Sequence, residues 1–568
     1  MYSELLKLWE TNATEDQDLI AEINSIKNNP EEISDRFYKE LDFGTAGLRG
    51  VIGVGTNRMN IYTVGRASQA LAEYVKSVDE NGSVAIAYDS RIKSFEFANA
   101  AASVIASNGI KVYIYNELMP TPMLSFAVRR LKCQAGIVIT ASHNPAKYNG
   151  YKAYGPDGCQ LQPDAANDIL KRMQKIDYFS GLEVCNFTKY LNEGKIEYIS
   201  QQIIDEYLAE VKKQSFADES YNLPDLSVIY TPLHGTGNKP VREILKQIGV
   251  NNIAIVSEQE LPDGNFPTAP YPNPEIKQPF TLALNLTKNF KADLILATDP
   301  DCDRVGIAVL NNGEYTLMSG NDVGALLLNY ILERRTQLNL MPQNPVAVKT
   351  IVTTDVCQKI ADKFGCQLIN VLTGFKFIGE QIALLENKDQ ENRFIFGYEE
   401  SYGYLPTAYV RDKDAVVASM LICEMAAYYK TQGLTLLDKL ASIFNEHGYY
   451  FNSQKSFSFE GQTGMQKMEN IMENLRNNPP KQISQYNVIA VSDYLKSTKT
   501  DVNGNVSKIE LPKSNVIEFL LDGGSKVILR PSGTEPKIKV YLIAVDNNKD
   551  LATTKLKDIE NSAENLLK

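Results

Sequence analysis

Short apolar runs of strand type, each followed by a helical pattern, recur along most of this chain, and no other feature limits its fold as strongly. Val84–Tyr88 precedes a helical pattern from Glu96 to Ser107, and Lys111–Tyr115 and Gly136–Thr140 come next. Further runs lie at Leu226–Tyr230, Ile253–Val256, Ala292–Thr298, Val346–Val352 and Arg393–Phe396. Such alternation argues for α/β domains. Several runs end in polar loops, among them Asp89-Ser90-Arg91, Thr231-Pro232-Leu233-His234-Gly235 and Asp299-Pro300-Asp301. In open α/β sheets, ligand loops stand at the carboxyl ends of strands.

The length of 568 residues suggests roughly four domains at about 150 residues each. The expected divisions are 1–202, beginning with an amphipathic helical extension to about residue 40, then 203–319, 320–450 and 451–568. In the last, Met465, Met468, Met472 and Leu475 sit at helical spacing. Asp501-Val502-Asn503-Gly504-Asn505 reads as a hairpin turn, Val516–Leu520 and Ser525–Leu529 as strands, and Thr553–Leu567 as a closing helix. A small α+β domain joined by a mobile segment is expected.

Composition excludes several classes of function. With 58 basic against 69 acidic residues, the net charge is −11, which disfavours a general nucleic-acid or anionic-membrane surface. A phosphate ligand would therefore need its cations gathered locally. No run approaches the roughly 18 apolar residues of a membrane helix, and Met1–Leu6 does not read as a secretory signal. The seven cysteines form no C-x-x-C pair, so zinc and redox motifs are not expected, and free thiols fit a cytoplasmic protein. Only three histidines are present, too few for a histidine-built metal site. Oligomeric state is not readable.

Four polar loops carry chemistry. Thr140-Ala141-Ser142-His143-Asn144-Pro145 offers a hydroxyl nucleophile at a strand end, although serine also favours plain turns. Asp299, Asp301 and Asp303, with Arg304 beside them, can converge on one hard cation. An EF-hand is excluded because Arg304 stands where that loop needs glycine and Leu310 where it needs glutamate. Carboxylates with open positions suit Mg²⁺ completed by a phosphate oxygen. Glu399-Glu400-Ser401, framed by tyrosines, suits sugar hydroxyls or is simply a tyrosine-rich turn. Arg530-Pro531-Ser532-Gly533-Thr534 can surround a phosphate or serve as a turn between strands. The segment from Asp42 to Gly50 has no Walker lysine and is not a P-loop, and no G-x-G-x-x-G follows a strand and opens a helix, so a dinucleotide cofactor is not expected.

Together and in this order, the four loops resemble those of the α-D-phosphohexomutase superfamily over residues 40 to 545. Tyr230–Gly237 and Asp263-Gly264-Asn265-Phe266-Pro267 are similar to the long-chain bacterial phosphoglucomutase branch. The resemblance implies three mixed α/β sheet domains and a smaller C-terminal α+β domain around a central cleft. These would be the phosphoserine, metal-binding, sugar-binding and phosphate-binding domains. It implies a phosphoserine at Ser142, with Mg²⁺ on Asp299, Asp301, Asp303 and an oxygen of that phosphoserine. Arg304 would stabilise the transferring phosphoryl, and Glu399 and Ser401 would hold sugar hydroxyls. Arg530, Ser532, Gly533 and Thr534 would hold the far phosphate. Lys152, Arg49, His143 and Lys376 match positions near the phosphoserine or in the acid–base and specificity loops.

The implied reaction interconverts α-D-glucose 1-phosphate and glucose 6-phosphate through glucose 1,6-bisphosphate. The implied partner is a small-molecule sugar phosphate. The chain departs from dual-specificity phosphomannomutase/phosphoglucomutases in having Tyr402-Gly403-Tyr404 where they carry a histidine. It keeps Ser401, which phosphopentomutase-type relatives tend to replace. Both points favour a glucose phosphate. Mannose, pentose or amino-sugar phosphates, a non-catalytic sugar-phosphate-binding protein and a metal-dependent phosphatase are the alternatives.

Overall fold

A computed structural model describes residues 2–41, 43–44, 47–459, 464–533 and 536–567. Among these residues are sheets of six, five, four and eight strands. The chain divides into two compact units. The first comprises Met1–Ser319, Ile378–Gly397 and Ser401–Gly433; the second comprises Gly320–Phe377, Tyr398–Glu400 and Leu434–Lys568.

In the first unit, the amphipathic extension breaks into helices Tyr2–Asn12, Gln17–Ile26 and Pro30–Phe37. The breaks are encoded locally. The Asp16 side chain caps the second helix, and Asn29 with Pro30 starts the third. The extension supplies core: Leu6, Trp9, Leu19, Ile23, Ile33 and Phe37 are buried in the cluster of the first sheet domain. The Trp9 ring meets those of Phe37, Tyr62 and Phe179 edge-on at 6.0, 5.8 and 5.2 Å. Each such side chain contributes about 1.5–3 kcal/mol on burial.

The first sheet is built from β1 (Gly47–Val51), β2 (Ser83–Tyr88), β3 (Lys111–Ile114), β4 (Ala135–Ile139), β5 (Tyr148–Tyr154) and β6 (Ile196–Tyr198), in the order β1-β5-β4-β2-β3-β6. From β4 through β6 the pairing is parallel, while β5 and β1 add antiparallel strands on one side. The second contains β7 (Ser227–Thr231), β8 (Asn252–Ile255), β9 (Leu294–Thr298), β10 (Val305–Asn311) and β11 (Glu314–Leu317), in the order β11-β10-β9-β7-β8. Strands β4 and β9 are buried at every position, which is why both read as unbroken apolar runs. Each turns directly into an antiparallel neighbour, β5 or β10. The serine turn and the aspartate turn therefore occupy equivalent places, at the carboxyl end of a buried strand.

In the second unit, β12 (Val346–Thr350) pairs in parallel with β13 (Gln367–Val371). In the C-terminal sheet Lys537–Asp546 is antiparallel along its length to the edge strand Tyr449–Ser458 and flanked on the other side by Lys526–Pro531. Helix Gly464–Asn477 buries Met468, Met472 and Leu475, whereas Met465 is exposed. The closing helix runs Lys549–Ala563 and ends in a 3-10 turn, Glu564–Leu567. It begins earlier than the apolar spacing indicates because the Asn548 side chain accepts from Asp550 N and Leu551 N.

Candidate active site

Ser142 is 4% exposed and holds a left-handed backbone, φ 52°, a conformation a non-glycine residue adopts only when its surroundings impose it. Two groups impose it. Ser142 N donates to Thr140 Oγ1 at 2.8 Å. Arg91, with no exposed side-chain surface, donates to the carbonyls of Ser142, Asn144, Pro145 and Tyr148. Parallel pairing of β2 with β4 makes this possible, because it sets the loop after Tyr88 beside the loop after Ile139. Asp89, 3.3 Å from Arg91 Nε, completes the clamp, and it accepts from Arg91 N at 2.9 Å and Ser94 Oγ at 2.7 Å.

The aspartate turn is wound as tightly. Cys302 has φ 51°, and the Asp299, Asp301 and Asp303 side chains are buried, with carboxylate oxygens within 4.8 Å of one another. Neighbouring segments fix the turn. Thr121 N donates to Asp301 O at 2.9 Å, Thr236 N to Pro300 O at 2.8 Å, Val305 N to Tyr402 O at 3.2 Å and Ala415 N to Cys302 O at 3.3 Å. A Cβ on Gly235 would stand 2.5 Å from Pro300 Cα, so only glycine lets these loops approach.

The two turns meet: Ser142 Oγ donates to Asp299 Oδ2 at 3.0 Å and lies 3.2 Å from His143 Nδ1. The remaining Asp299 oxygen accepts from Asp303 N and Arg304 N. Asp301 Oδ1 and Asp303 Oδ1 are buried and have no hydrogen-bond partner among the described residues. Three buried carboxylates, two of them with an uncommitted oxygen, fit a hard divalent cation.

Cations surround this centre. Lys152 Nζ contacts Asp301 Oδ2 at 2.7 Å and Asp303 Oδ2 at 3.4 Å, and Lys413 Nζ contacts Asp303 Oδ2 at 2.9 Å. Arg304 pairs with Glu275 at 2.5 Å, and Arg49 reaches Asn144 Oδ1 at 3.5 Å. Burial, reinforced by Asp301 and Asp303, pushes the Asp299 carboxyl well above its ordinary range. Burial works against ionised Asp301 as well, but Lys152 and Lys413 outweigh it and hold that carboxyl below its usual range. Burial opposes the Lys152 charge, yet Asp301 and Asp303 raise it overall. Burial and the cations Arg304, Arg49, Arg91 and Lys152 keep His143 neutral well below its ordinary value.

The structure thus brings together Ser142, His143, Lys152, Arg49, Arg304 and the three aspartates, all in the first unit. Ser401 is partly buried in the same unit. In the second unit, the Glu399 carboxylate accepts from Gly374 N at 2.9 Å, and Lys376 Nζ stands 5.1 Å from the Phe377 ring centroid. Arg530, next to last in strand Lys526–Pro531, stands directly opposite Lys539, Ser532 N donates to Lys537 O at 2.7 Å, and Gly533 is exposed. Thr534 lies outside the described residues.

Sequence reasoning missed Arg91 and Lys413. Arg91 was legible only as part of a polar loop after a strand. Lys413 stands in Arg411-Asp412-Lys413-Asp414, immediately before the apolar helix Ala415–Thr431. An aspartate ahead of an apolar run signals a helix start, but nothing in the spacing shows the preceding lysine turning inward.

Models of phosphoglucomutase/phosphomannomutase domains match in chain order: α/β/α domain I over residues 40–179, II over 205–313, III over 319–446 and the C-terminal domain over 479–555. The phosphoglucomutase of Staphylococcus aureus strain MRSA252 is 39% identical over 89% of this chain and 90% of its own. That of Staphylococcus haemolyticus is 39% identical over 90% and 92%. Among solved structures, the open form of Paramecium parafusin, a phosphoglucomutase, covers 93% of this chain and 95% of its own, with TM-score 0.66 and 19% identity. A phosphoglucomutase/phosphomannomutase family protein from Burkholderia thailandensis covers 92% and 96%, with TM-score 0.65 and 17% identity. These two structures speak to the fold alone.

Proposed function

The chain belongs to the phosphoglucomutase/phosphomannomutase family, and from that premise we infer that it is a phosphoglucomutase, an isomerase working by phosphoryl transfer through Ser142. The observation that carries this reading is the hydrogen bond from Ser142 Oγ to one of three mutually adjacent buried aspartates. In our reading, the phosphoryl group on Ser142 Oγ passes to the free hydroxyl of glucose 1-phosphate, forming glucose 1,6-bisphosphate. The serine oxygen takes up a proton and the sugar hydroxyl loses one. After the sugar reverses, its other phosphoryl returns to Ser142 and glucose 6-phosphate leaves.

Asp299, Asp301, Asp303 and a phosphoserine oxygen would hold Mg²⁺, which neutralises charge on the transferring phosphoryl when bound. Lys152, kept protonated between Asp301 and Asp303, suits the acid that protonates the leaving serine oxygen. Neutral His143 orders the turn beside it. Arg49 and Arg304 supply positive charge to the phosphoryl oxygens. We assign Glu399 and Ser401 to the sugar hydroxyls, Arg530, Ser532, Gly533 and Thr534 to the second phosphate, and Lys376 to the acid–base loop. The domain limits of this reading are 202/203, 319/320 and 450/451. Among the described residues, no helix is long and apolar enough to cross a membrane. All seven cysteines are free, and we place the enzyme in a reducing cytoplasm.

The test is a coupled assay of glucose 6-phosphate formation from glucose 1-phosphate, with and without the bisphosphate. It is run on the wild type and Ser142→Ala, with intact-mass analysis of both. The wild type should carry one phosphoryl group and respond to the bisphosphate, and the variant should do neither. Equal turnover by Ser142→Ala excludes the phosphoserine route. Preference for ribose or mannose 1-phosphate reassigns the substrate, and net release of inorganic phosphate marks a phosphatase.

A further inference from the structure

The segment Asp263-Gly264-Asn265-Phe266-Pro267 has no part in the chemistry above, yet it is built against the serine turn's clamp. Phe266 is fully buried and held at φ 48°, a backbone that a bulky residue adopts only under constraint. Phe266 N donates to Asp263 O at 3.1 Å, and Ala269 N donates to Phe266 O at 3.0 Å. The His234 ring is a tilted neighbour, with centroids 6.5 Å apart. His234 is itself fixed by Leu261 O at 3.1 Å and Thr268 Oγ1 at 3.0 Å. Over the ring lies the Arg91 guanidinium, 5.0 Å from its centroid. One residue pair away the backbones touch: a Cβ on Gly264 would stand 2.4 Å from Ile92 N and 2.8 Å from both Arg91 C and Ser90 O.

The Arg91 guanidinium is therefore constrained on several sides. Its edge is spent on the carbonyls of Ser142, Asn144, Pro145 and Tyr148, its Nε faces Asp89, and Phe266 lies alongside it. The ring comes from the domain of the aspartate turn, and the guanidinium from the domain of the serine turn. Any shift between the two domains at this point moves Ser142 Oγ against Asp299.

We propose that Phe266 and Gly264 are positioning residues for phosphoryl transfer, seating Arg91 and through it setting where Ser142 Oγ stands relative to the aspartate turn. This rests on Ser142 being the phosphoryl carrier. Phe266 and Gly264 lie outside the serine and aspartate turns and act on them through Arg91. Their effect should fall on the transfer step, because misplacement by about 1 Å can cost about 100-fold in rate.

The experiment uses full-length Phe266→Leu, Arg91→Lys, their double variant and Gly264→Ala. For each, three quantities are measured: the rate at which glucose 1,6-bisphosphate phosphorylates Ser142, kcat and KM for glucose 1-phosphate, and the melting temperature. Leucine keeps most of the apolar volume without the ring face, and lysine keeps the charge without the planar fork. We expect Phe266→Leu to slow phosphorylation and kcat together by about 10-fold and Arg91→Lys by about 100-fold, with KM changed less than about 2-fold. The double variant should fall within about 2-fold of Arg91→Lys, because residues acting through one another are not additive. Gly264→Ala should act in the direction of Phe266→Leu, and these two carry the test if Arg91→Lys does not fold.

Wild-type transfer rates in folded Phe266→Leu overturn the proposal. So do effects that multiply in the double variant, or a kcat loss that vanishes when all variants are assayed far below their melting temperatures. If the wild type takes no phosphoryl group on Ser142, the functional reading itself falls. If it does and Phe266→Leu transfers normally, only the positioning role falls.

Discussion

Burial, with Glu399 beside it, pushes the Glu400 carboxyl up to about 7. Its Oε2 accepts from Thr350 Oγ1 at 3.2 Å, and the charges of Glu399 and Lys539 act on it from either sign. Since the folded value is raised, the fold favours the protonated form. That stability is fully present below the unfolded value of about 4.3 and is lost as pH rises through about 7. Melting of the wild type should fall relative to Glu400→Gln between pH 5 and 8 (about 3 kcal/mol at most). Parallel melting curves at all pH values would show that the group does not titrate there. At this scale Ser142 and the three aspartates were legible because their chemistry is in their identity and spacing. Arg91 and Lys413 were not, because what matters in them is where a long side chain is sent, and only the folded sheet order decides that.

Helix Ala415–Thr431 depends on one residue for its start. Asp414 accepts from Val416 N at 2.8 Å and Val417 N at 3.2 Å, and also from the hydroxyls of Tyr207, at 2.8 Å, and Tyr409. Asp414→Ala removes the cap and strands two buried hydroxyls, so a loss of about 2–4 kcal/mol is expected. Asp414→Asn keeps a capping oxygen and should lose less. Thermal or urea unfolding gives the ranking, and equal losses would place the effect elsewhere. Strands buried on both faces, such as β4 and β9, were plain in the sequence as apolar runs. Their antiparallel partners were harder. Tyr148–Tyr154 mixes tyrosine, asparagine, glycine and lysine, and reads as a strand only once Lys152 has aspartates to meet. Gly47–Val51 was hidden in a glycine-rich stretch for the same reason, since its pairing with β5 makes it a strand.

Over the whole molecule, a net charge of −11 sits with a local crowd of cations, Arg49, Arg91, Lys152, Arg304 and Lys413, around the serine and aspartate turns. That contrast draws phosphate to one place on an otherwise acidic protein. A cation that binds only the folded aspartates stabilises the fold by mass action. Mg²⁺ should therefore raise the melting temperature of the wild type and leave that of Asp301→Asn nearly unchanged, and the same rise in both would move the ion's site elsewhere. The ammonium groups of Lys152 and Lys413, already against Asp301 and Asp303, add a further consequence. An arriving divalent ion exchanges with resident monovalent charge and never meets three naked anions. Such exchange would cost part of the ion's binding energy. Lys413→Met should tighten Mg²⁺ binding measured by calorimetry, and weaker binding would mean that the lysine helps to build the ion's seat. Until a cation arrives, the two ammonium groups are what balances the buried aspartate charge.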